Sequence, residues 1–341
     1  SLVGSEMCIR DRAHTALALT GEGIVRDKAG TQMPAAEALA AAGLEPITLR
    51  EKEGLALING TDGMLGQLIL ALTDLNTLVT TADLTTAMTV QALCGIDAVF
   101  APDLQALRPH EGQKLSAANI AALLKDSPLI QAGKSEESKR VQDAYSLRCA
   151  PQVTGAVRDT MAHAAHVARV ELVSAIDNPA VTDDLRVESN GNFHGAPVAY
   201  VLDFLAIAVA DLASMSERRT DRMLDPARSR GLNAFLANDP GVDSGYMIAQ
   251  YTQASIVSEL KRLAVPASAD SIPTSAMQED HVSLGWSAAR KLRRAVDGLG
   301  RVLGVEALTA ARAIDMRGIG ASEPVARVIK FMRESLSLIH I

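Results

Sequence analysis

The chain has 341 residues, enough for one large or two ordinary domains. Hydrophobic residues make up 48% of it and aromatics only 3%, so helices packed through small and aliphatic side chains are favoured over a sheet-rich fold. The formal net charge of −7, with no domain-sized basic region, excludes the electrostatic footprint of a nucleic-acid binder.

Along the chain, residues 1–12 have neither a helical nor a strand period and read as a non-native, adapter-like segment, to be set aside from fold reasoning. Residues 24–32 form a short predicted hairpin with Ala29-Gly30 near its turn. Pro34 then opens a helix that Gly43 closes. Residues 45–49 are short and extended. From Gly63 the pattern is long and helical, with Leu65, Leu68, Ile69, Leu72, Leu75 and Leu78 at mixed threes and fours. A polar loop is expected at 134–138, a helix at 156–172, and a small hairpin at 185–193 turned by Asn190-Gly191. Apolar-periodic helices follow at 198–219, 245–263 and 283–314, with a loop at Asp239-Pro240-Gly241. The apolar run 198–213 is too short, and too interrupted by Asp203 and Asp211, to span a bilayer, so it reads as a core helix. The basic group around Arg218, Arg219 and Arg222 reads as a solvated or ion-paired helix end. Residues 335–341 break the preceding pattern and read as a second adapter-like segment. The expected fold is mainly α: one elongated helical-bundle domain over 13–334, with a few short strands or hairpins.

Cys8, Cys94 and Cys149 form neither a close pair nor a metal spacing, which suits reduced thiols in a cytoplasmic protein. His163 and His166 lie an i, i+3 step apart but lack further ligands, so no metal site is expected. The glycines at 298, 300 and 304 follow a helical pattern and no strand, which discards a dinucleotide loop.

The run Gln142-Asp143-Ala144-Tyr145-Ser146-Leu147-Arg148 carries the chemistry. Tyr145 and Arg148 lie three apart, on one face of a helix. A guanidinium offers a carboxylate two prongs, and a phenol beside it can handle a proton. Gln142, one turn earlier, is expected to add amide donors and an acceptor to that face. Alone, this triplet reads as an ordinary surface helix. It is accompanied by Ile58-Asn59-Gly60-Thr61, by Ser189-Asn190-Gly191-Asn192-Phe193-His194-Gly195, and by Met277-Gln278-Glu279-Asp280-His281. Individually these are a turn, a hairpin tip and a polar helix start.

Together, in this order and spacing, the four motifs resemble the aromatic amino-acid ammonia-lyases, from about Ala13 to about Arg317, and within them the histidine-specific members. The resemblance implies a helical enzyme that eliminates ammonia from L-histidine to give trans-urocanate. It implies that Arg148 anchors the substrate carboxylate, that Asn59 holds the amino-acid head, and that Phe193 lies against the substrate or cofactor ring. Glu279 would contact the imidazole, with Gln278 and His281 orienting its loop. Tyr145 is a candidate for proton transfer, with a Tyr expected upstream of residue 1 as its rival. His194 receives no role. Asp62 stands where many relatives have Gln. The family cofactor, methylidene-imidazolone (MIO), closes from an Ala-Ser-Gly run, and no such run occurs in the chain. A homotetramer with shared active sites is also implied. The rival readings are a tyrosine or phenylalanine lyase or aminomutase, against which Glu279 argues, and a non-catalytic helical scaffold.

Overall fold

The computed structural model describes residues 4–135 and 140–335, with side chains from Arg12 onward. Helices dominate, and the few strands form two small hairpins. Where the sequence suggests a single domain, the residues gather into two compact units.

The first unit comprises the chain up to Leu70 together with Ala164–Asp203 and Pro266–Arg290. It begins with α1, Gly4–Leu19. This differs from the expectation for the start of the chain: residues 4–12 run in one continuous helix with residues 13–19. Strands β1 (Ile24–Arg26) and β2 (Gln32–Pro34) pair antiparallel, with Val25 opposite Met33. Helix α2 (Ala35–Ala41) starts directly after Pro34, and Gly43 supplies a positive φ of 70° just beyond its end. Residues 45–49 join no strand. Helix α3 (Glu53–Ile58) leads through Asn59-Gly60-Thr61 into α4 (Asp62–Ala92).

The second small hairpin falls earlier than expected. Strand β3 (Ala180–Val181) pairs with β4 (Val187–Glu188), and the chain reverses at 182–186. Thr182 closes that reversal, accepting at its carbonyl from Leu185 N at 2.9 Å and donating from its own N to Arg186 O at 3.0 Å. Asn190-Gly191 lies beyond the hairpin, because the Asn190 amide is spent on Asp177 O at 3.0 Å. Within this unit Gly195 and Gly285 seat on Met64. A Cβ at Gly195 would lie 2.8 Å from Met64 Cε, and one at Gly285 2.4 Å from Met64 Sδ. The missing side chains are what allow the 191–195 turn and the start of α12 (Gly285–Arg317) to approach α4 so closely.

The second unit comprises Ala71–His163, Phe204–Val265 and the chain from Lys291. It holds most of α4, α6 (Glu111–Leu124), α9 (Ala150–Leu172) up to His163, α10 (Ala196–Leu224) from Phe204, α11 (Met247–Leu263), α12 from Lys291, and α13 (Glu323–Ser335). On α4, Leu75, Val79 and Ala82 are fully buried, and on α12 Leu292, Ala295, Leu299 and Val302. Their spacing of threes and fours is the stripe a core-facing helix requires. Small residues set the packing distance, in keeping with the low aromatic content. A Cβ on Gly112 of α6 would lie 2.2 Å from Gly155 O of α9, so the two helices touch backbone to backbone. Expected helix starts shift by a few residues; α9 begins at Ala150. Helices α4 and α10 are long and apolar enough to cross a membrane by length and composition alone; 61% of the most apolar window of α10 is buried within the protein. Most of the predicted polar loop at 134–138, and residues 336–341, lie outside the described residues.

Candidate functional site

Three of the four motifs meet in the first unit. Asn59, Phe193, Gln278 and Glu279 line one cavity of about 360 Å³, together with Met64 and the two histidines 194 and 281.

Asn59 follows the last turn of α3 in an extended conformation, φ −121° and ψ 180°. The left-handed residue is Gly60, at φ 91°. A Cβ there would meet Ile176 Cδ1 at 3.3 Å and Asp62 Oδ2 at 3.4 Å. Thr61 is fully buried and donates its hydroxyl to Glu171 Oε1 at 2.5 Å. Sequence reasoning misses a third support. Arg12 falls in the segment that reads as adapter-like, yet its guanidinium wraps this turn, donating to Asn59 O, to Ala56 O at 3.0 Å and to the Asp62 carboxylate at 2.9 Å. An isolated arginine outside any motif carries no signal of that role. Asp62 is thus an ion-pair partner of Arg12.

Phe193 sits in a tight turn closed by His194 N donating to Gly191 O at 3.0 Å. The turn is tied to the base of the hairpin by Asn190 N donating to Asn178 Oδ1 at 2.9 Å. Next to it, Lys52 pairs with Asp177 at 2.6 Å and holds the Asp177 carboxyl below the usual range.

Gln278 and Glu279 lie on a loop stapled at its base. Thr274 N donates to Glu279 O at 3.0 Å, and the Thr274 hydroxyl donates to the Glu279 carboxylate. Between them Ser275, Ala276 and Met277 all have positive φ, 51°, 54° and 73°. The expected helix start near Ser283 is therefore preceded by an irregular loop. Asp280 and Ser283 are part of the cavity wall. An amide, an aromatic ring and a carboxylate converge at this cavity, a set suited to an amino acid that carries a ring.

Tyr145, Arg148 and Gln142 belong to the second unit. Helix α8 is a single turn, Tyr145–Arg148. It brings the pair together as their spacing implies: the Arg148 guanidinium carbon lies 4.5 Å from the centroid of the Tyr145 ring. Arg148 Nε donates to Asp143 O at 2.9 Å. Tyr145 is exposed. Gln142 is a correction. It precedes the helix in non-helical backbone and is exposed, so helical spacing does not put it on the Tyr145 face. The reason is local: Asp143 is buried and accepts at Oδ2 from Ile96 N at 2.7 Å, which holds the segment out of helix until Ala144.

A helical fold that presents these residues in this order defines a class, and the family comparison agrees. The model of the aromatic amino acid lyase family matches residues 9–334. The chain belongs to that family. It is 66% identical to the histidine ammonia-lyase of Streptomyces coelicolor over 317 residues, covering 92% of this chain and 62% of that protein. To the histidine ammonia-lyase of Streptomyces griseus it is 63% identical, covering 94% and 63%. Among solved structures, the tyrosine aminomutase of Streptomyces globisporus matches with a TM-score of 0.90 at 38% identity, covering 98% of this chain and 67% of that one. The histidine ammonia-lyase of Trypanosoma cruzi matches at 0.85 with 41% identity, covering 96% and 62%. The chain thus spans a little under two thirds of the length of the curated relatives it matches.

Proposed function

We propose that a protein carrying this sequence is a carbon–nitrogen lyase that eliminates ammonia from L-histidine to give trans-urocanate. The observation that carries this reading is the cavity that gathers Asn59, Phe193 and Glu279. In this reading Asn59 holds the amino-acid head, Phe193 packs on the ring, and the Glu279 carboxylate accepts the imidazole N–H, with Gln278 beside it. Arg148 binds the substrate carboxylate through its planar fork, and Tyr145 is the candidate for moving the β-proton.

The family electrophile, MIO, makes the amine a better leaving group when present. It closes from Ala-Ser-Gly, and the 341 residues contain no such run. The chain therefore does not supply that group, and the roles of Asn59, Arg148, Phe193 and Glu279 are those of its own side chains toward the substrate. Assembly as a homotetramer with shared active sites is part of the proposal, as is residence in a reducing cytoplasm, which the free thiols of Cys94 and Cys149 suit.

A tyrosine lyase or aminomutase is the second reading, favoured by the high structural similarity to the Streptomyces globisporus aminomutase. Glu279 separates the two. A carboxylate accepts an imidazole N–H at the ring edge; phenylalanine offers no donor, and tyrosine offers only its hydroxyl, beyond the para carbon and so not in the same place. The test is kcat/KM for histidine and tyrosine in this sequence joined to an upstream segment bearing Ala-Ser-Gly, with and without Glu279→Gln. A charge-assisted bond of about 1.5–3 kcal/mol is at stake. The histidine preference should shrink at least roughly tenfold; an unchanged ratio would return the tyrosine reading to first place.

A further inference from the structure

We propose that His194 and His281 act as one imidazole pair that locks the turn bearing Phe193 to the loop bearing Gln278 and Glu279. His194 Nε2 lies 3.2 Å from His281 Nδ1. The two rings stack, with centroids 5.3 Å apart and planes 23° from parallel. A bond between two ring nitrogens needs one donor and one acceptor, so at least one ring is neutral while the pair holds.

The loop needs such an outside hold. Ser275, Ala276 and Met277 are three successive side-chain-bearing residues with φ between 51° and 73°, a conformation that persists only where the surroundings dictate it. Its staples are internal: Thr274 to Glu279, and Ser271 Oγ with Val282 N at 2.9 Å and Val282 O at 3.1 Å. They close the loop on itself, and among the described residues the hydrogen bond that ties it to the 191–195 turn is that of the histidine pair. The histidine pair reaches the opposite wall. It does so one residue from Phe193 and two from Glu279, at a point where Gly195 already brings the backbones close, its Cβ position lying 2.8 Å from Ser283 Oγ. His194 and His281 are thus positioning residues: they set the distance between the ring that packs on the substrate and the carboxylate that reads it. Their effect on ring selection rests on Glu279 contacting the substrate imidazole; the coupling of the two loops does not.

Amide hydrogen exchange on the 341-residue chain tests the coupling. His281→Ala should raise exchange at least tenfold both in 275–283 and in 191–195, and His194→Ala should do the same. The double variant should add little, because either change already breaks the one bond. His281→Asn places an amide where Nδ1 stood and should restore near wild-type exchange in both segments. Faster exchange confined to the mutated residue's own segment would overturn the proposal, as would additive effects in the double variant. If His281→Ala unfolds the chain, His281→Asn decides: exchange as fast as in the unfolded variant counts against the pair. Because exchange is read without substrate, an unchanged histidine-to-tyrosine ratio in Glu279→Gln would remove the imidazole reading and leave this result standing.

Discussion

At the scale of single residues, the candidate site depends on side chains that hold backbone as much as on those that face the cavity. Arg12 shows this best. Its side chain is 15% exposed, and its donors go to Asn59 O, Ala56 O and Asp62. The bond to Asn59 O is partly buried and those to Ala56 O and Asp62 are exposed; a charged donor to a partly buried acceptor contributes about 1.5–3 kcal/mol. Arg12→Ala should therefore destabilise the first unit by about that amount for the best of these bonds, since water replaces part of the rest. Trp286 lies in the same unit and is the chain's single tryptophan, so urea unfolding followed by its fluorescence reads the change. An unshifted midpoint would show that the turn stands without Arg12. Arg148 works differently. Its guanidinium stacks on Tyr145 and is steadied by Asp143 O. Arg148→Lys keeps the charge but loses the fork and the planar stack. In the protein extended with Ala-Ser-Gly, kcat/KM for histidine should fall by about 1.5–3 kcal/mol. Wild-type efficiency would remove Arg148 from substrate anchoring.

At the scale of elements, the second unit is organised around a charge that the sequence pattern alone assigns to a helix end. Arg219 sits in α10 and is fully buried, as is Glu306 of α12. The pair is bidentate, Nε to Oε1 at 2.5 Å and Nη2 to Oε2 at 2.8 Å. Thr85 and Thr89 of α4 and Ser216 of α10 donate to the same carboxylate. Arg219 also reaches Ser146 O, between Tyr145 and Arg148, at 3.3 Å. Three long helices and the single turn of α8 thus share one satisfied polar centre. Arg219→Met leaves Glu306 charged and unpaired, a loss of about 3–5 kcal/mol. Arg219→Met with Glu306→Leu should recover only part of it, because the Thr89 and Ser216 hydroxyls then lose their acceptor and Thr85 keeps only Ala82 O at 3.3 Å. Thermal melts followed by circular dichroism compare the two, and equal melting temperatures for the single variant and wild type would contradict the role. The expectation of a solvated or ion-paired helix end holds for Arg218, which is exposed and paired with Glu217 and Asp221, while Arg219 is ion-paired but buried. A partner 87 residues away leaves no local trace, whereas the apolar stripes of α4 and α12 are local and readable. The same distinction explains the misplaced hairpin. Asn190-Gly191 is a strong turn signal, but the Asn190 amide is claimed by Asp177 O. It also explains Gln142, whose segment is held by Asp143 on Ile96 N. In the site, residues inside contiguous motifs (Asn59, Phe193, Gln278, Glu279) are legible and meet in one cavity. Arg12 is not, and neither is the bond that Thr61, though inside the first motif, makes to Glu171, because both act only through contacts made after folding.

At the scale of the whole molecule, composition and activity part company. Family membership extends over residues 9–334, yet the electrophile of the proposed reaction cannot close from this backbone. MIO needs three consecutive residues, Ala, Ser and Gly, and the 341-residue sequence holds only partial matches, such as Gly320-Ala321-Ser322-Glu323. That run is also committed elsewhere: Ser322 is buried, donates its hydroxyl to Leu123 O at 2.6 Å, and receives Gln91 Nε2 at 3.1 Å. Its glycine precedes the serine instead of following it, and the serine is held by those bonds. Without an electrophile the β-proton of histidine is too weakly acidic for a tyrosine to remove, however well the contacts proposed for Arg148 and Glu279 would hold the substrate. The chain as it stands should therefore produce no urocanate above a control without protein, followed by the product's ultraviolet absorbance. Joined to the upstream portion of the Streptomyces coelicolor relative, whose 66% identity favours undisturbed packing at the junction, it should turn over histidine and elute as a tetramer at micromolar concentration. Urocanate formed by the unextended chain would show that catalysis proceeds without the tripeptide. An extended chain that assembles but stays inactive would instead place the fault in the side chains that hold the substrate, and Glu279 and Arg148 would be the first to re-examine.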